Sequence, residues 1–225
     1  MTQDTKPTIA VLGGAGHEGS GIAARLARAG YPIVIGSRDA ARAQSAAEEL
    51  AAKTGGKITG NSNAAAAAAA GEVVVLAVPY SAQAALADEV RGELEGKILI
   101  DVTVPLVPPK VARVQLPEGG SAVEALQRRL GEGVRVVAAF QNVSAHQLSD
   151  LDAEVDCDVL VSGDDEAARE VVCGLCKEMN ITAYQAGPLA NSAAAEALTS
   201  VLISINRRYK VPGGAGIRIT GIGAA

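Results

Sequence analysis

The chain has 225 residues, a length that suits one domain with a substantial buried core and a small appended element. Apolar residues make up 48% of it and charged residues 20%, the composition of a soluble helix-and-sheet protein. The formal net charge of −5 argues against an extended nucleic-acid surface, although it leaves room for one local basic pocket that binds a phosphate. No nucleic-acid partner is expected.

The cysteines and the N-terminal segment favour a cytoplasmic protein that has no membrane partner. Residues 1–7 lack the basic start and apolar stretch of a signal peptide, and the most apolar tract, residues 64–78, is broken by Gly71 and Glu72. The three cysteines cannot all pair within the chain. Cys173 and Cys176 form a C-x-x-C inside a helical pattern, which we interpret as helix packing rather than redox or metal chemistry. No metal site is expected.

The first half of the chain alternates between predicted strands and helices. A helix ending at Gly30, a helix from Asp39 to about Lys53, the alanine run Ala64 to Ala70 and a helix over residues 81–94 separate the strands. The predicted strands cover residues 9–12, 32–35, 57–59, 73–78 and 97–101. This alternation predicts a parallel sheet covered by helices.

The second half of the chain begins with a long loop, residues 102–120, which is rich in Pro, Val and Gly and is of a kind that is often functional. Helices are predicted over residues 121–130, 164–178 and 192–208, and strands over residues 134–140, 158–162 and 181–184. The sequence therefore predicts a Rossmann-type, doubly wound, mostly parallel sheet with a C-terminal helix extension. We expect one domain over residues 1–225, with a substrate and dimerisation portion from about residue 140.

A dinucleotide fingerprint follows the first strand. Gly14-x-Gly16-x-x-Gly19 stands between a predicted strand and a predicted helix. In such a motif the glycines allow a tight turn, a close approach to pyrophosphate and close packing of the helix on the strand, and the N-terminus of the helix offers N–H donors. This context predicts nucleotide binding, whereas a glycine-rich turn without a ligand is the alternative.

The end of the second strand indicates which nicotinamide cofactor fits. No carboxylate stands at residues 36–38, where an NAD site would have one to bind the ribose hydroxyls. Ser37, Arg38 and Arg42 can instead bind a 2′-phosphate. The sequence therefore predicts NADP as the cofactor.

Residues 11–42 resemble the N-terminal region of the deazaflavin-dependent NADP oxidoreductases, the F420:NADP oxidoreductase family. Two later segments are also similar to that family in residue identity and order. They are Gly163-Asp164-Asp165 and the block from Ala186 to Ser192 followed by Glu196 and Leu198. The resemblance covers nearly the whole chain. It implies an enzyme that passes a hydride between NADP(H) and a deazaflavin, coenzyme F420, as co-substrate.

The same resemblance implies roles for individual residues. The turn residues would hold the pyrophosphate, the second-strand residues the 2′-phosphate, and Pro79 and Tyr80 would line the nicotinamide pocket. The implied cofactor-binding set is Gly14, Ala15, Gly16, His17, Glu18, Gly19, Ser37, Arg38, Arg42, Pro79 and Tyr80. The family commonly has a His and a Pro after the strand at Val134, where this chain reads from Phe140 to Ala145 without either.

Hydride transfer between two ring cofactors needs little acid–base help, which agrees with the scarcity of catalytic groups. Gln141 and Asn142 could bind the second substrate, and His146 or Tyr80 could supply a proton. The departure from the family pattern leaves two alternatives open: an NADPH-dependent reductase of a small carbonyl, imine or ring substrate, and a non-catalytic NADP(H) sensor.

Two further hypotheses concern the end of the chain. The alanine-rich helix from Ser192 to Ile205 could pack against its copy in a homodimer, or else pack only on its own sheet. A pocket for the anionic tail of a deazaflavin would need cations near the nicotinamide. The available candidates are Lys110, Arg113, Arg207, Arg208 and Lys210.

Overall fold

A computed structural model describes residues 6–222, so the polar start at residues 1–5 and the last three residues lie outside the described part of the chain. The strands are β1 Ile9–Leu12, β2 Ile33–Ser37, β3 Ile58–Ser62, β4 Val73–Leu76, β5 Ile98–Asp101, β6 Arg135–Ala138, β7 Val159–Gly163 and β8 Ala183–Gln185. The helices are α1 His17–Arg28, α2 Ala40–Thr54, α3 Asn63–Ala69, α4 Tyr80–Glu89, α5 Arg91–Leu94, α6 Ala122–Leu130, α7 Ala145–Ser149, α8 Glu166–Glu178 and α9 Ser192–Tyr209, with a 3₁₀ turn at Leu189–Asn191.

The strands form one sheet in the order β3-β2-β1-β4-β5-β6-β7-β8. The first six strands of this order are parallel, β7 runs antiparallel to β6, and β8 is parallel to β7. The carboxyl ends of β1, β2, β4, β5 and β6 therefore meet at one edge. The order reverses direction between β1 and β4, which is where α/β sheets of this type bind nucleotides. The predicted Rossmann-type fold is confirmed.

Helices cover both faces of the sheet because neighbouring strand residues point to opposite sides. In β1, Ile9 and Val11 join a core with α1, α2 and α8, whereas Ala10 and Leu12 join a second core with α3, α4 and α6. The alanine run forms α3, with Ala66 and Ala67 fully buried. Small side chains allow this helix to lie close to the sheet, and the doubly wound arrangement follows.

The structure departs from the sequence prediction in three places. The helix expected over residues 81–94 is divided at Val90 into α4 and α5. The strand expected over residues 134–140 stops at Ala138, and Phe140 adopts φ 73°. The short helix α7 was not predicted. Residues 102–121 form the expected long loop, and no described helix is long and apolar enough to cross a membrane.

Candidate active site

The turn between β1 and α1 is shaped by its glycines. Gly13 has φ 78° and its N–H donates to the carbonyl of Gly36 at 3.0 Å, which ties the turn to β2. A Cβ at Gly19 would lie 2.7 Å from the carbonyl oxygen of Gly13 and 2.9 Å from Cα of Gly14. Gly16 is the N-cap of α1 and supplies no side-chain acceptor. The first N–H groups of α1 are thus available to an anion, as the fingerprint predicts.

A first cavity, here called the arginine cavity, has a volume of about 650 Å³ and opens beside this turn. It brings together the predicted Ser37, Arg38 and Arg42. The nearest carboxylate along the chain is Asp39, which accepts from the N–H groups of Ala41 and Arg42 and so caps α2. The remaining lining residues are Gly13, Ala15, Gly16, Asn63, Ala77, Val78, Pro79, Ser81, Ala82, Ala85, Leu86 and Glu89.

Asn63, at the start of α3, is a lining residue that the sequence analysis missed as part of the site. Its side chain is 2% exposed, and its Oδ1 has no hydrogen-bond partner among the described residues. A Cβ at Gly36 would lie 3.0 Å from this oxygen, so the glycine leaves room for the amide. A buried oxygen without a donor, in the wall of a cavity, fits a ligand that carries a hydroxyl or an amine.

A second cavity, the glutamine cavity, continues from the first and has a volume of about 530 Å³. Gly16, Ala77, Val78 and Pro79 line both cavities, so they form one cleft along the carboxyl edge of the sheet. Each volume is within the range of ligand pockets. The other lining residues are His17, Glu18, Tyr80, Val102, Thr103, Val104, Leu106, Gln141, Val143, Ala145, Thr199 and Ile203.

Gln141 is held in this cavity by contacts from two distant elements. Its side-chain Nε2 donates to the backbone carbonyl of Asp101 at 2.7 Å, and its backbone carbonyl accepts from Oγ1 of Thr199 at 2.6 Å. The left-handed backbone of Phe140 turns the chain immediately before it, a conformation that is rare for a bulky residue and often occurs at functional sites. Gln141 is 2% exposed and its Oε1 has no described partner. The cavity thus contains one unused buried acceptor.

A buried carboxyl lies behind Gln141. Asp101 is fully buried at the end of β5 and accepts from Nε2 of Gln83 and, at 2.9 Å, from the N–H of Thr103. Burial raises the pKa of Asp101 to about 6, since these hydrogen bonds offset only part of the desolvation.

Burial, and then the charge of Asp101, raise the pKa of Glu18 to about 8. The cavity wall thus holds a carboxyl that changes protonation in the working pH range.

Two of the candidate catalytic residues lie elsewhere. Asn142 points away from the cleft because its Nδ2 donates to the carbonyl of Asp158 at 2.8 Å and contacts Sγ of Cys157. His146 lies on the exposed side of α7 and is outside the residues that line the two cavities. Of the four candidates, Gln141 and Tyr80 line the cleft.

Arg25, on α1, fixes α7 beside the cleft. Its guanidinium donates to the carbonyls of Leu148 at 2.9 Å, Gln147 at 2.8 Å and Ala153 at 3.1 Å. The arginine is 7% exposed, so these carbonyls give a buried charge its hydrogen bonds. Arg25 lies inside the predicted first helix, and the position of α7 depends on its hydrogen bonds.

Three of the five candidate cations line one groove. Lys110 and Arg113 come from the long loop and Arg207 from α9, and Oγ of Ser200 joins the two elements by donating to the carbonyl of Arg113 at 3.2 Å. Arg207 lies one helical turn beyond Ile203, a lining residue of the glutamine cavity. One helical turn of α9 therefore separates the groove from the wall of the second cavity. Arg208 and Lys210 are exposed and are not among its lining residues.

Comparison with known proteins agrees with this geometry. A family profile described as NADP oxidoreductase coenzyme F420-dependent matches residues 8–105. The F420-dependent NADP reductase of Methanothermobacter marburgensis is 41% identical over 95% of this chain and 98% of its own length, and that of Methanocaldococcus jannaschii is 41% identical over the same shares. The chain belongs to the coenzyme F420-dependent NADP oxidoreductase family.

A solved structure supports the same assignment. The putative F420-dependent NADP reductase of Arthrobacter sp. FB24 superposes with a TM-score of 0.79 and 28% identity, over 95% of this chain and 99% of the other. Every residue of the arginine cavity falls within the profile match, whereas Gln141, Thr199 and Ile203 of the glutamine cavity lie beyond it. The full-length relatives, not the profile, extend the family assignment to the second cavity.

Proposed function

We propose that this chain transfers a hydride between NADP(H), bound at the arginine cavity, and coenzyme F420, bound at the glutamine cavity. The observation that carries this proposal is that one cleft contains both parts of the site. The glycine turn and two arginines line the first cavity, and Gln141, whose Oε1 lacks a hydrogen-bond donor, lines the second. The relatives named F420-dependent NADP reductases supply the identity of the second substrate.

The NADP(H) half is supported by the fit of its residues. The N-terminus of α1 would bind the pyrophosphate, and Ser37, Arg38 and Arg42 the 2′-phosphate. Oδ1 of Asn63 would accept a hydrogen bond from an adenosine hydroxyl or amine. Pro79 lines both cavities and so would lie where the nicotinamide passes from one to the other.

In the second half of the site the chain supplies no hydride carrier of its own. The two bound ring systems supply the hydride chemistry, so the protein must set distance and orientation and exclude water. Oε1 of Gln141 would accept from a ring N–H, and the apolar Val143 and Ile203 would keep water from the ring. The cationic groove of Lys110, Arg113 and Arg207 would bind the anionic tail.

A spectrophotometric assay tests the proposed function. Purified protein with NADPH should bleach the visible absorbance of the deazaflavin without any added flavin, and NADPH should be consumed in equal amount. A reaction without protein and one with NADH in place of NADPH are the controls. Failure to bleach the deazaflavin, together with reduction of a small carbonyl or imine, would assign the second cavity to another acceptor.

We also propose that residues from about 140 onward form the substrate and dimerisation portion of one dinucleotide-binding domain, and that the chain is a two-fold homodimer. Val201, Ile205 and Tyr209 follow one another at four-residue spacing on α9 and are 45%, 36% and 73% exposed, which leaves an apolar stripe in water. Light scattering at micromolar concentration should give twice the chain mass, and Ile205→Lys should give the monomer. A monomeric wild type would contradict the dimer.

The cysteines support a cytoplasmic location for this reaction. Cys157, Cys173 and Cys176 are all free thiols in the structure. Burial raises the pKa of each thiol, so they are poor nucleophiles. Free, unreactive thiols are the usual state in a reducing compartment.

A further inference from the structure

Glu18 is not explained by a role in phosphate binding, although it belongs to the dinucleotide turn. It occupies the second position of α1 and lines the glutamine cavity with Gln141, Thr103 and Tyr80, and it does not line the arginine cavity. Its carboxyl forms no hydrogen bond with a described residue. A group that can be anionic, beside a site for a pyrophosphate, would repel that ligand unless it held a proton.

The surroundings of Glu18 favour the protonated form. The charge of the Asp101 carboxyl on β5 acts on Glu18, and the charge of Glu196 on α9 acts on Asp101 in turn. Of the other titratable groups at the cavity, His17 belongs to the same helix and Tyr80 to α4. Burial and the charge of Asp101 raise the pKa of Glu18 to about 8. The positive N-terminal end of α1 favours the carboxylate form of Glu18. An incoming pyrophosphate would occupy this end of the helix and so remove that stabilisation.

We propose that Glu18 is the acid–base residue of this site, giving a proton to the second ring when that ring receives a hydride and taking the proton back in the reverse reaction. This inference rests on the proposed function. In the forward direction NADPH loses a hydride with its electron pair, and the deazaflavin gains that hydride at carbon. The O–H bond of Glu18 breaks and an N–H bond forms on the deazaflavin. Glu18 is partly exposed, so its carboxylate regains a proton from water.

The geometry offers Gln141 as the partner of Glu18 in this step. Both side chains line the same cavity, and the Oε1 of Gln141 is a buried acceptor without a donor. A neutral carboxyl is a donor, whereas a carboxylate is not. A ring N–H formed by proton transfer from Glu18 would give the Gln141 oxygen the donor that it lacks.

The first experiment measures proton uptake on cofactor binding, which needs no turnover. NADP⁺ is titrated calorimetrically at pH 8 in two buffers of different ionisation enthalpy; the 2′-phosphate, with a second pKa of about 6, is already fully ionised there. The wild type should take up a fraction of a proton per site, because the bound pyrophosphate raises the pKa of the nearby Glu18 carboxyl further. Glu18→Gln should bind NADP⁺ with no uptake, and Glu170→Gln, an exposed carboxyl on α8, should behave as the wild type.

The second experiment compares pH profiles of deazaflavin reduction by NADPH. The wild-type rate should fall about tenfold per pH unit above the pKa of the bound enzyme, whereas Glu18→Gln should be slower by roughly 100-fold at pH 7 and independent of pH. An unchanged profile in Glu18→Gln, or loss of the pH dependence in Tyr80→Phe instead, would overturn the role of Glu18 while leaving the proposed function intact. No bleaching by the wild type itself would overturn the proposed function, and the acid–base role with it.

Discussion

The two cavities of the cleft are built in different ways. The arginine cavity is formed by residues 13–89, in the first half of the chain, and its key groups are backbone N–H donors and cations that follow single strands. The glutamine cavity combines side chains from the loop after β5, the segment after β6, and α9, and its key group, Gln141, is held by residues 40 and 58 positions away. The first cavity recognises charge through local structure, and the second recognises a ring through tertiary structure.

The largest expected effect tests the local structure of the arginine cavity. In Gly19→Ala the new Cβ would meet the backbone of Gly13 and Gly14 at less than 3.0 Å, so the turn must shift. We expect NADPH affinity to fall about 100-fold, or roughly 2.8 kcal/mol. Fluorescence titration with NADPH measures this.

Gly174→Ala is the matched control for that variant. This glycine lies in the exposed interior of α8 with nothing within 4 Å of its would-be Cβ. The substitution should leave NADPH affinity unchanged and stabilise the protein by about 0.5–1 kcal/mol. Equal affinity in Gly19→Ala and Gly174→Ala would refute the glycine turn as the pyrophosphate site.

The charge recognition of the same cavity is tested by cofactor preference. NADPH should bind at least about tenfold more tightly than NADH, or about 1.4 kcal/mol, because residues 36–38 at the end of β2 include an arginine and no carboxylate. Arg38→Ala should remove most of this preference by weakening NADPH alone, and Arg128→Ala on α6 should leave it intact. Equal binding of the two nucleotides by the wild type would exclude the NADP assignment.

A smaller and more selective effect is expected in the glutamine cavity. Gln141→Ala removes the unused acceptor and the contact with Asp101, so the KM for the deazaflavin should rise about tenfold, corresponding to one lost hydrogen bond of about 1.4 kcal/mol. NADPH affinity should change less than twofold. An equal loss of deazaflavin binding and of NADPH affinity in this variant would show that the two cavities are one structural unit rather than two separable ones.

The smallest effect concerns stability. The pKa of Glu18 is about 8 in the folded protein and has an ordinary value of 4.5, so the folded state keeps a proton that the unfolded state releases between these values. The contribution of this proton to the free energy of unfolding is therefore fully present below pH 4.5, and it declines as the pH rises towards 8. Glu18 is partly exposed, so water screens much of this effect, and Glu18→Gln should melt only about 2–4 °C higher than the wild type at pH 8, with no difference at pH 4. A higher melting temperature at both pH values would point to a cause other than ionisation.

The local half of the molecule could be predicted from the sequence, and the reasons are physical. Strand and helix periodicity placed β1 to β5 and their helices, since each is encoded by neighbouring residues. The antiparallel direction of β7 and the five-residue helix α7 could not be found in this way. The position of α7 depends on Arg25, 123 residues before Leu148, and no local pattern encodes that contact.

The same distinction applies to the candidate site. Ser37, Arg38 and Arg42 were predicted together and line one cavity, because the end of a strand and the next helix turn are neighbours in both sequence and space. Asn142 and His146 are near Gln141 in sequence but lie away from the cleft, since Asn142 donates to the carbonyl of Asp158 and His146 is on the exposed side of α7. Asn63 and Thr199 gave no chemical signal beyond helix capping or helix packing. Their importance comes from where the fold places them.

Isotopic labelling can follow the hydride itself from NADPH to the deazaflavin. NADPH labelled with deuterium at the transferable position of the nicotinamide is incubated with the protein and oxidised coenzyme F420. The masses of the products are then measured by mass spectrometry. A direct transfer between the two cavities predicts one deuterium on the reduced deazaflavin and none lost to water. A reduced deazaflavin without deuterium, or NADPH left unconsumed until a small imine or carbonyl is added, would contradict it.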